Sequence, residues 1–218
     1  FCYSFTLIRK RIVLMLLSCL IFVAVRPHTL LMLLVGFGIA LILNRKQRVI
    51  YRVSLFVIMI VGSLLILPKV MEMTSIDSLS VESYTEFADN RAGKLGQSHT
   101  SSAVDISSYP YPLKIFTFLF RPTFIDINGF PALIAAFENL LLLAIAIKAF
   151  SARPIKSYKA TPLLLKGLLF YCIIATILFS LTLGNLGIML RMRNMILPCL
   201  LMCILWNLSY LKTHKAKL

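Results

Sequence analysis

The chain has 218 residues, of which 59% are hydrophobic, and its mean hydropathy is +0.88. A water-soluble domain of this size does not need so much apolar surface, and the apolar residues are gathered in uncharged runs typical of transmembrane helices. The formal net charge is +15, but the basic residues lie at the ends of these runs and not along a groove with interleaved aromatic residues, which disfavours nucleic-acid binding. We therefore predict an all-α, polytopic membrane protein with a single transmembrane domain over residues 1–218.

Six apolar segments follow one another along the chain, at residues 12–25, 29–43, 49–67, 129–147, 163–183 and 195–211. The first two are short for a hydrocarbon layer of about 30 Å at a rise of about 1.5 Å per residue. They either span with help from flanking residues or form a hairpin that enters the bilayer and returns. Pro27 supplies the break between them, because it disfavours helical backbone at Arg26. We predict a bundle of about six helices.

The charged residues predict the orientation of the helices. Most basic residues fall before the first segment, between the second and third, between the fourth and fifth, or after the sixth. All eight acidic residues lie between the third and fourth segments or just inside the fourth. The positive-inside rule therefore places both termini in the cytoplasm and the long loop of residues 68–128 outside.

The outer loop changes character along its length. Its first half is polar and rich in turn-forming residues, whereas its second half, "YPYPLKIFTFLFRPTFIDINGFP", is apolar and aromatic. Residues 113–121 are bracketed by prolines and are too short to cross a bilayer. Because Tyr and Phe favour the membrane interface, we predict an interfacial or re-entrant element there.

Several features of known cofactor sites are missing from the sequence. The five cysteines lie in or near apolar runs without CxxC spacing, which argues against a disulfide framework and against a metal site. No P-loop, Rossmann glycine fingerprint, HExxH or GxSxG motif occurs. We therefore expect no cofactor, and we expect any chemistry at the membrane or on its outer side.

Two arginines in "LTLGNLGIMLRMRNMILP" fall on the predicted outer side, in the turn between the last two helices. Arg191 and Arg193 are either interfacial anchors that reach lipid headgroups or guanidinium groups that bind phosphate oxygens in a bidentate way. Two side chains at this spacing diverge on a helix but converge in extended backbone. Gly184 and Gly187 before them and Pro198 after them favour an irregular stretch.

Other polar residues are weaker candidates. Arg121 is held by "FLFRP" beside the apolar element, while Arg91 is better explained as a solvated loop charge. Asp105 and His99 are candidate base or orienting groups. Glu138 lies inside the fourth apolar segment, where a carboxylate costs about 2.5–3.5 kcal/mol, so we expect it to face the bundle and to have a partner.

Two stretches resemble a known family. "RAGKLGQSHTSSAVDISSYPYPLKIFTFLFRP" and "GNLGIMLRMRNMILP" are similar to the O-antigen polymerase and EpsG-like group of bacterial surface-polysaccharide proteins. The similarity covers the chain from residue 69 onward. Its sharpest element is the short run formed by Asn185, Gly187, Arg191, Arg193 and Pro198.

The resemblance implies a polymerase that joins oligosaccharides carried on undecaprenyl pyrophosphate, at the outer face of the bacterial inner membrane. It implies partners in the lipid bilayer, a lipid-linked oligosaccharide, and a chain-length regulator or other export proteins. The implied catalytic residues are Arg191, Arg193 and Asp105, and the implied substrate-binding residues are Arg121, Arg91, His99, Asn185 and Glu138.

The chain departs from that family in length. Such polymerases have around ten or more helices, and this sequence, which begins at Phe1, shows six. Either an N-terminal part is missing or the protein is a shorter relative with another task. The alternative function is a non-catalytic polytopic membrane protein, either a transporter or an assembly subunit, although no convincing inverted repeat relates the first three segments to the last three.

Overall fold

The computed structural model describes residues 8–44, 48–74, 80–96, 102–106, 108–127, 129–151 and 154–215. Within these ranges the chain is helical and has no β-strand, apart from an isolated bridge between Ala103 and Asn185. The prediction of an all-α fold is therefore confirmed. The contacts divide the chain into two compact units, residues 1–77 with 161–174 and residues 78–160 with 175–218. A single membrane domain stays a prediction.

The described residues form nine α-helices and one short 3-10 helix. In chain order they are α1 (Ile8–Val25), α2 (Pro27–Leu43), α3 (Val49–Thr74), α4 (Val81–Gly96), α5 (Tyr111–Phe120), the 3-10 turn (Phe124–Asp126), α6 (Phe130–Phe150), α7 (Pro154–Ala160), α8 (Leu163–Thr182) and α9 (Leu186–Lys215).

Among the described residues, four helices are long and apolar enough to cross a membrane. They contain the segments Val49–Glu72, Phe130–Phe150, Leu163–Thr182 and Leu186–Tyr210. The chain is therefore a membrane protein with helical spans, and four of the six predicted segments are confirmed by length and composition. The first two predicted segments coincide with the shorter apolar helices Leu16–Val25 and Pro27–Leu43. α2 has 17 residues and is therefore about 26 Å long. This length is compatible both with a helix that spans the bilayer and with one arm of a hairpin that enters the bilayer and returns.

In the first unit, α2 is buried along most of its length and approaches the start of α8 through glycines. The break after α1 is where the sequence predicts it, because Pro27 begins α2. A methyl group added at Gly36 would lie 2.7 Å from the backbone nitrogen of Tyr171, and one at Gly167 would lie 2.7 Å from the ring of Phe37. Such close approach of backbones through small residues is typical of packing between membrane helices.

In the second unit, α6 packs against α9. Leu142, Ala146 and Ala149 of α6 form a buried cluster with Ile204 of α9. The side-chain amide of Asn207 donates a hydrogen bond of 2.6 Å to the backbone oxygen of Ala149. This pair of helices is the frame on which α5 lies.

The predicted outer loop contains a helix that the sequence did not predict. α4 is polar, but Ala88 and Ala92 on one of its faces are buried, and the hydroxyl of Tyr84 donates to the oxygen of Leu178 at 3.0 Å. Burial raises the pKa of Tyr84 to about 12. The hydroxyl of Ser80 accepts the backbone N–H of Ser83 at 2.9 Å, which is a helix N-cap. Because this stretch is polar, the pattern of apolar residues did not indicate a helix.

The remaining differences concern helix ends. α3 continues to Thr74 with Pro68 inside it, so the predicted outer loop begins later than residue 68. The predicted element at 113–121 is a helix of 10 residues, α5, about 15 Å long and therefore too short to span. Its place at the membrane interface stays a prediction. α9 begins at Leu186, nine residues before the predicted start at 195, and Pro198 lies inside it.

Candidate functional site

The turn between α8 and α9 is short and hydrogen-bonded. The side-chain oxygen of Asn185 accepts the N–H of Gly187 at 3.0 Å and that of Ile188 at 3.3 Å, so Asn185 caps the start of α9. A Cβ at Gly187 would lie 3.3 Å from that oxygen, which explains glycine at this spacing. Ser102 donates to the same oxygen at 3.1 Å and accepts the N–H of Leu186 at 2.9 Å. Asn185 thus has a structural role that the sequence did not predict.

Because α9 begins at its capping asparagine, the two arginines of the motif lie on regular helix. Side chains two residues apart are separated by about 200° around the helix axis, so they point to nearly opposite sides of the helix. Arg191 is exposed, whereas Arg193 is only 2% exposed. The predicted irregular stretch, in which the two guanidinium groups would converge, is therefore not formed.

Arg193 is buried against the end of α5. Its Nη1 donates a hydrogen bond of 2.7 Å to the backbone oxygen of Leu119, one of the last-turn carbonyls that have no partner within the helix. Its Nε is buried and has no hydrogen-bond partner among the described residues. The carboxylate of Glu138 attracts it electrostatically. Arg193 therefore fixes α5 to α9 while one of its donors stays unused.

A buried asparagine holds the same end of α5 from α6. Asn139 is 2% exposed, and its amide donates a hydrogen bond of 2.8 Å to the oxygen of Pro122. Its own oxygen is buried without a partner among the described residues. The neighbouring Glu138 is exposed, contrary to the prediction that it faces the bundle, but its carboxylate attracts Arg193 of α9, so the predicted partner is present. Successive residues differ by about 100° around a helix, so burying Asn139 turns Glu138 outward.

Arg121, directly after α5, pairs with Asp126, the last residue of the 3-10 turn. Its Nε and Nη2 lie 3.0 and 2.5 Å from the two carboxylate oxygens of Asp126, and its Nη1 donates to the hydroxyl of Tyr109 at 3.5 Å. Thr123 adds backbone and hydroxyl hydrogen bonds of 2.9 Å to Asp126. The pair raises the pKa of Arg121 and lowers that of Asp126 to about 2. The charge of Arg121 is thus neutralised within the protein.

We expect the pair of Arg121 and Asp126 to stabilise the folded protein by an amount that decreases at acid pH. The carboxyl pKa of Asp126 is about 2 in the folded protein and about 3.9 in an unfolded chain. The lower folded pKa means that the contribution is present above about pH 4 and is lost as the pH falls towards 2. We expect Asp126→Asn to lower the free energy of unfolding by about 1 kcal/mol at pH 7, since the pair is partly exposed.

The measurement is thermal unfolding of both proteins in detergent between pH 7 and pH 2. The difference between them should be constant above about pH 5 and should shrink towards pH 2. A difference that does not change with pH would show that the ionised pair contributes nothing. Glu86→Gln, at an exposed position in the middle of α4, is the matched control and should leave the profile unchanged.

The remaining predicted site residues are Arg91, Asp105 and His99. The guanidinium of Arg91 lies over the ring of Phe87, 5.6 Å from its centroid, on the exposed side of α4. Asp105 is exposed, in the short segment whose Val104 N–H bonds to the oxygen of Gly184 at 2.9 Å. His99 lies outside the described residues. The structure therefore brings the Asp105 segment to the start of α9, and it separates Arg191 from Arg193.

A small open cavity lies between α5 and α6. Its volume is about 60 Å³, well below the roughly 300–1,000 Å³ of a typical small-molecule site. Phe116, Phe120 and Phe124 line it together with Asn139 and Leu140. Among the described residues, no three His, Cys, Asp or Glu side chains are grouped so that they could hold a metal ion.

Comparison of the chain with protein-family models, with curated proteins and with solved structures finds no match. The resemblance to the O-antigen polymerase and EpsG-like group therefore stays a prediction that rests on the motif.

Proposed function

We propose that this protein is a membrane glycosyl-transferring polymerase that acts on undecaprenyl-pyrophosphate-linked oligosaccharides at the outer face of the bacterial inner membrane, in the synthesis of a surface polysaccharide. The observation that carries the proposal is Arg191. It is an exposed cation in the second turn of a membrane-spanning helix, and the first turn of α9 holds no acidic residue. The structure records no ion pair or hydrogen bond of its side chain among the described residues.

Arg191 lies near the end of α9 that favours an anion over a cation. The amino end of a helix carries a partial positive charge, which repels a cation and attracts an anion. The charge distribution of the sequence places this end of α9 outside, where the positive-inside rule gives no reason for an arginine. A pyrophosphate group at the membrane interface would supply the missing negative charge.

The proposed chemistry needs only a fixed cation and a base. In glycosyl transfer from a lipid pyrophosphate, a hydroxyl of the acceptor sugar bonds to the anomeric carbon of the donor and gives its proton to the base, while the bond from that carbon to the pyrophosphate breaks. A guanidinium group stabilises the charge that develops on the pyrophosphate as it leaves. Arg191 is the residue for that role, while Arg193 positions α5. Asp105, exposed in the segment bonded to the start of α9, is the candidate general base. The donor is already activated, so no nucleotide is required.

The test is a substitution at the exposed arginine. We expect Arg191→Ala to reduce polymer formation by roughly 100-fold, the loss typical of removing one group that stabilises developing charge, while the amount of protein in the membrane is unchanged. Lys148→Ala, at the exposed end of α6, is the control and should leave the polymer unaltered. The polymer-length distribution on a gel and the membrane level by immunoblot are the measurements. Polymer of unchanged length in Arg191→Ala would contradict the proposal.

The alternative is a non-catalytic membrane protein, either a transporter or an assembly subunit. It is favoured because two of the candidate arginines make contacts within the protein itself. Arg121 pairs with Asp126, and Arg193 donates a hydrogen bond to the backbone of α5. Under this alternative Arg191 is an interfacial anchor. Arg191→Lys distinguishes the two, because an anchor tolerates lysine whereas a bidentate phosphate contact does not.

A further inference from the structure

The outward face of α6 combines apolar side chains with one carboxylate. Ile134, Phe137 and Leu141 are exposed, and Glu138 is exposed among them. These four positions lie within about 100° of one another around the helix axis, so they form a single face. α6 holds no other acidic residue. The face is therefore apolar except at Glu138.

Glu138 lies close to the middle of a membrane span. It is the ninth of the 21 residues of α6, about 12 Å from the first residue and about 18 Å from the last at the helical rise. Long lysine and arginine side chains near the end of a span reach the membrane interface. The shorter side chain of Glu138, placed near the middle, leaves its carboxylate at the depth of the hydrocarbon layer.

The contacts within the protein leave the outward side of this carboxylate open. Among the described residues, Glu138 makes no side-chain hydrogen bond and no ion pair within 4 Å. Arg193 attracts the carboxylate, but Nη1 of that guanidinium donates its hydrogen bond to the oxygen of Leu119. Ionisable residues within membrane spans are costly in contact with lipid and almost always face protein or a water-filled cavity. Glu138 does not line the cavity between α5 and α6, so the neighbour expected for its outward side is protein.

We propose that the outward face of α6 is a docking surface for a transmembrane helix of another protein, which carries an arginine or lysine at the depth of Glu138. The basic side chain binds the carboxylate, and Ile134, Phe137 and Leu141 pack around the pair. A second copy of this chain fits less well, because a two-fold axis through this face brings two Glu138 carboxylates together and like charges repel. The proposal does not involve Arg191 and is independent of the proposed glycosyl transfer.

The experiment measures binding of a synthetic transmembrane peptide to the purified full chain in phosphatidylcholine vesicles, by energy transfer between a dye on each. The probe is a leucine–alanine helix of about 20 residues with one arginine at its centre. Matched peptides carry leucine or glutamate at the centre, or the arginine two turns away from it. We expect the probe to bind roughly tenfold more tightly than any of these three, because it alone gains a charged hydrogen bond at the depth of Glu138.

Variants of the full chain assign the effect to one carboxylate. Glu138→Gln keeps the size of the side chain and removes its charge, so it should weaken binding of the central-arginine peptide by roughly tenfold. Glu138→Lys should reverse the preference, and the glutamate peptide should then bind more tightly than the arginine peptide. Glu86→Gln, at an exposed position of the polar helix α4, is the matched control and should bind as the unchanged protein does.

Three outcomes would overturn the inference. Equal binding of the central-arginine and leucine peptides to the unchanged protein would show that the face does not select a basic partner. Equal losses in Glu86→Gln and Glu138→Gln would show that the overall charge of the protein is responsible. Energy transfer between two copies of the full chain that is lost in Glu138→Gln would assign this face to a second copy.

Discussion

Replacing Arg193 by alanine is expected to lower the free energy of unfolding by about 3 kcal/mol. The change removes a hydrogen bond from a charged donor, worth about 1.5–3 kcal/mol, and leaves a space where a buried side chain had packed. It also leaves the oxygen of Leu119 without its partner at the end of α5. Unfolding in mild detergent by a denaturant gives the measurement.

The matched control is the neighbouring arginine. Arg191→Ala removes the same functional group from an exposed position of the same helix, so we expect a change within about 0.5 kcal/mol. Arg193→Lys keeps a donor for Leu119 and should lose less stability than Arg193→Ala. Equal losses at 191 and 193 would contradict the buried position of Arg193 and its role as the residue that positions α5.

A second large effect is expected at the glycine contact of the first unit. Gly36→Ala places a methyl group 2.7 Å from the backbone nitrogen of Tyr171. Backbone cannot rotate away as a side chain can, so α2 and the start of α8 must separate. We expect a loss of about 1–3 kcal/mol, the range for overpacking of a well-packed interior, measured by thermal unfolding in detergent.

Gly93→Ala is the control for the same chemical change. Gly93 lies inside α4, and a methyl group added there would meet nothing within 4 Å. Because alanine favours helix over glycine by roughly 1 kcal/mol, this variant should be unchanged or slightly more stable. Stabilisation by Gly36→Ala would show that the two helices are not in contact at this glycine.

The sequence predicted the fold class and the spans because both depend on composition. Long apolar runs identify α3, α6, α8 and α9 without any knowledge of packing. The start of α9 is harder to predict, because Gly184 and Gly187 favour an irregular stretch over a helix. In the structure Gly187 is the residue that lets the Asn185 cap close. Recognising the asparagine as an N-cap would have predicted the earlier start.

The interior of the candidate site depends on tertiary contacts that the sequence does not encode locally. Glu138 and Asn139 are adjacent in an apolar helix, and hydropathy alone gives no reason to bury the second and expose the first. Their orientation follows from the position of Pro122, whose oxygen accepts the amide of Asn139. Arg121 and Asp126, by contrast, are only five residues apart, but they meet because the 3-10 turn brings the chain back toward the end of α5.

The exposed carboxylate of Glu138 has a consequence for how the protein is made. On insertion scales a charged residue near the centre of a helix costs about 2.5–3.5 kcal/mol, and each Leu, Ile or Phe returns about 0.3–0.6 kcal/mol. α6 holds five leucines, three isoleucines and three phenylalanines, which return roughly 3–7 kcal/mol. The apolar residues of α6 therefore exceed the cost of Glu138 only narrowly when α6 moves from the translocon into the bilayer. α9, which carries Arg193, is synthesised later. An added charge in α6 is thus expected to hinder its insertion into the membrane.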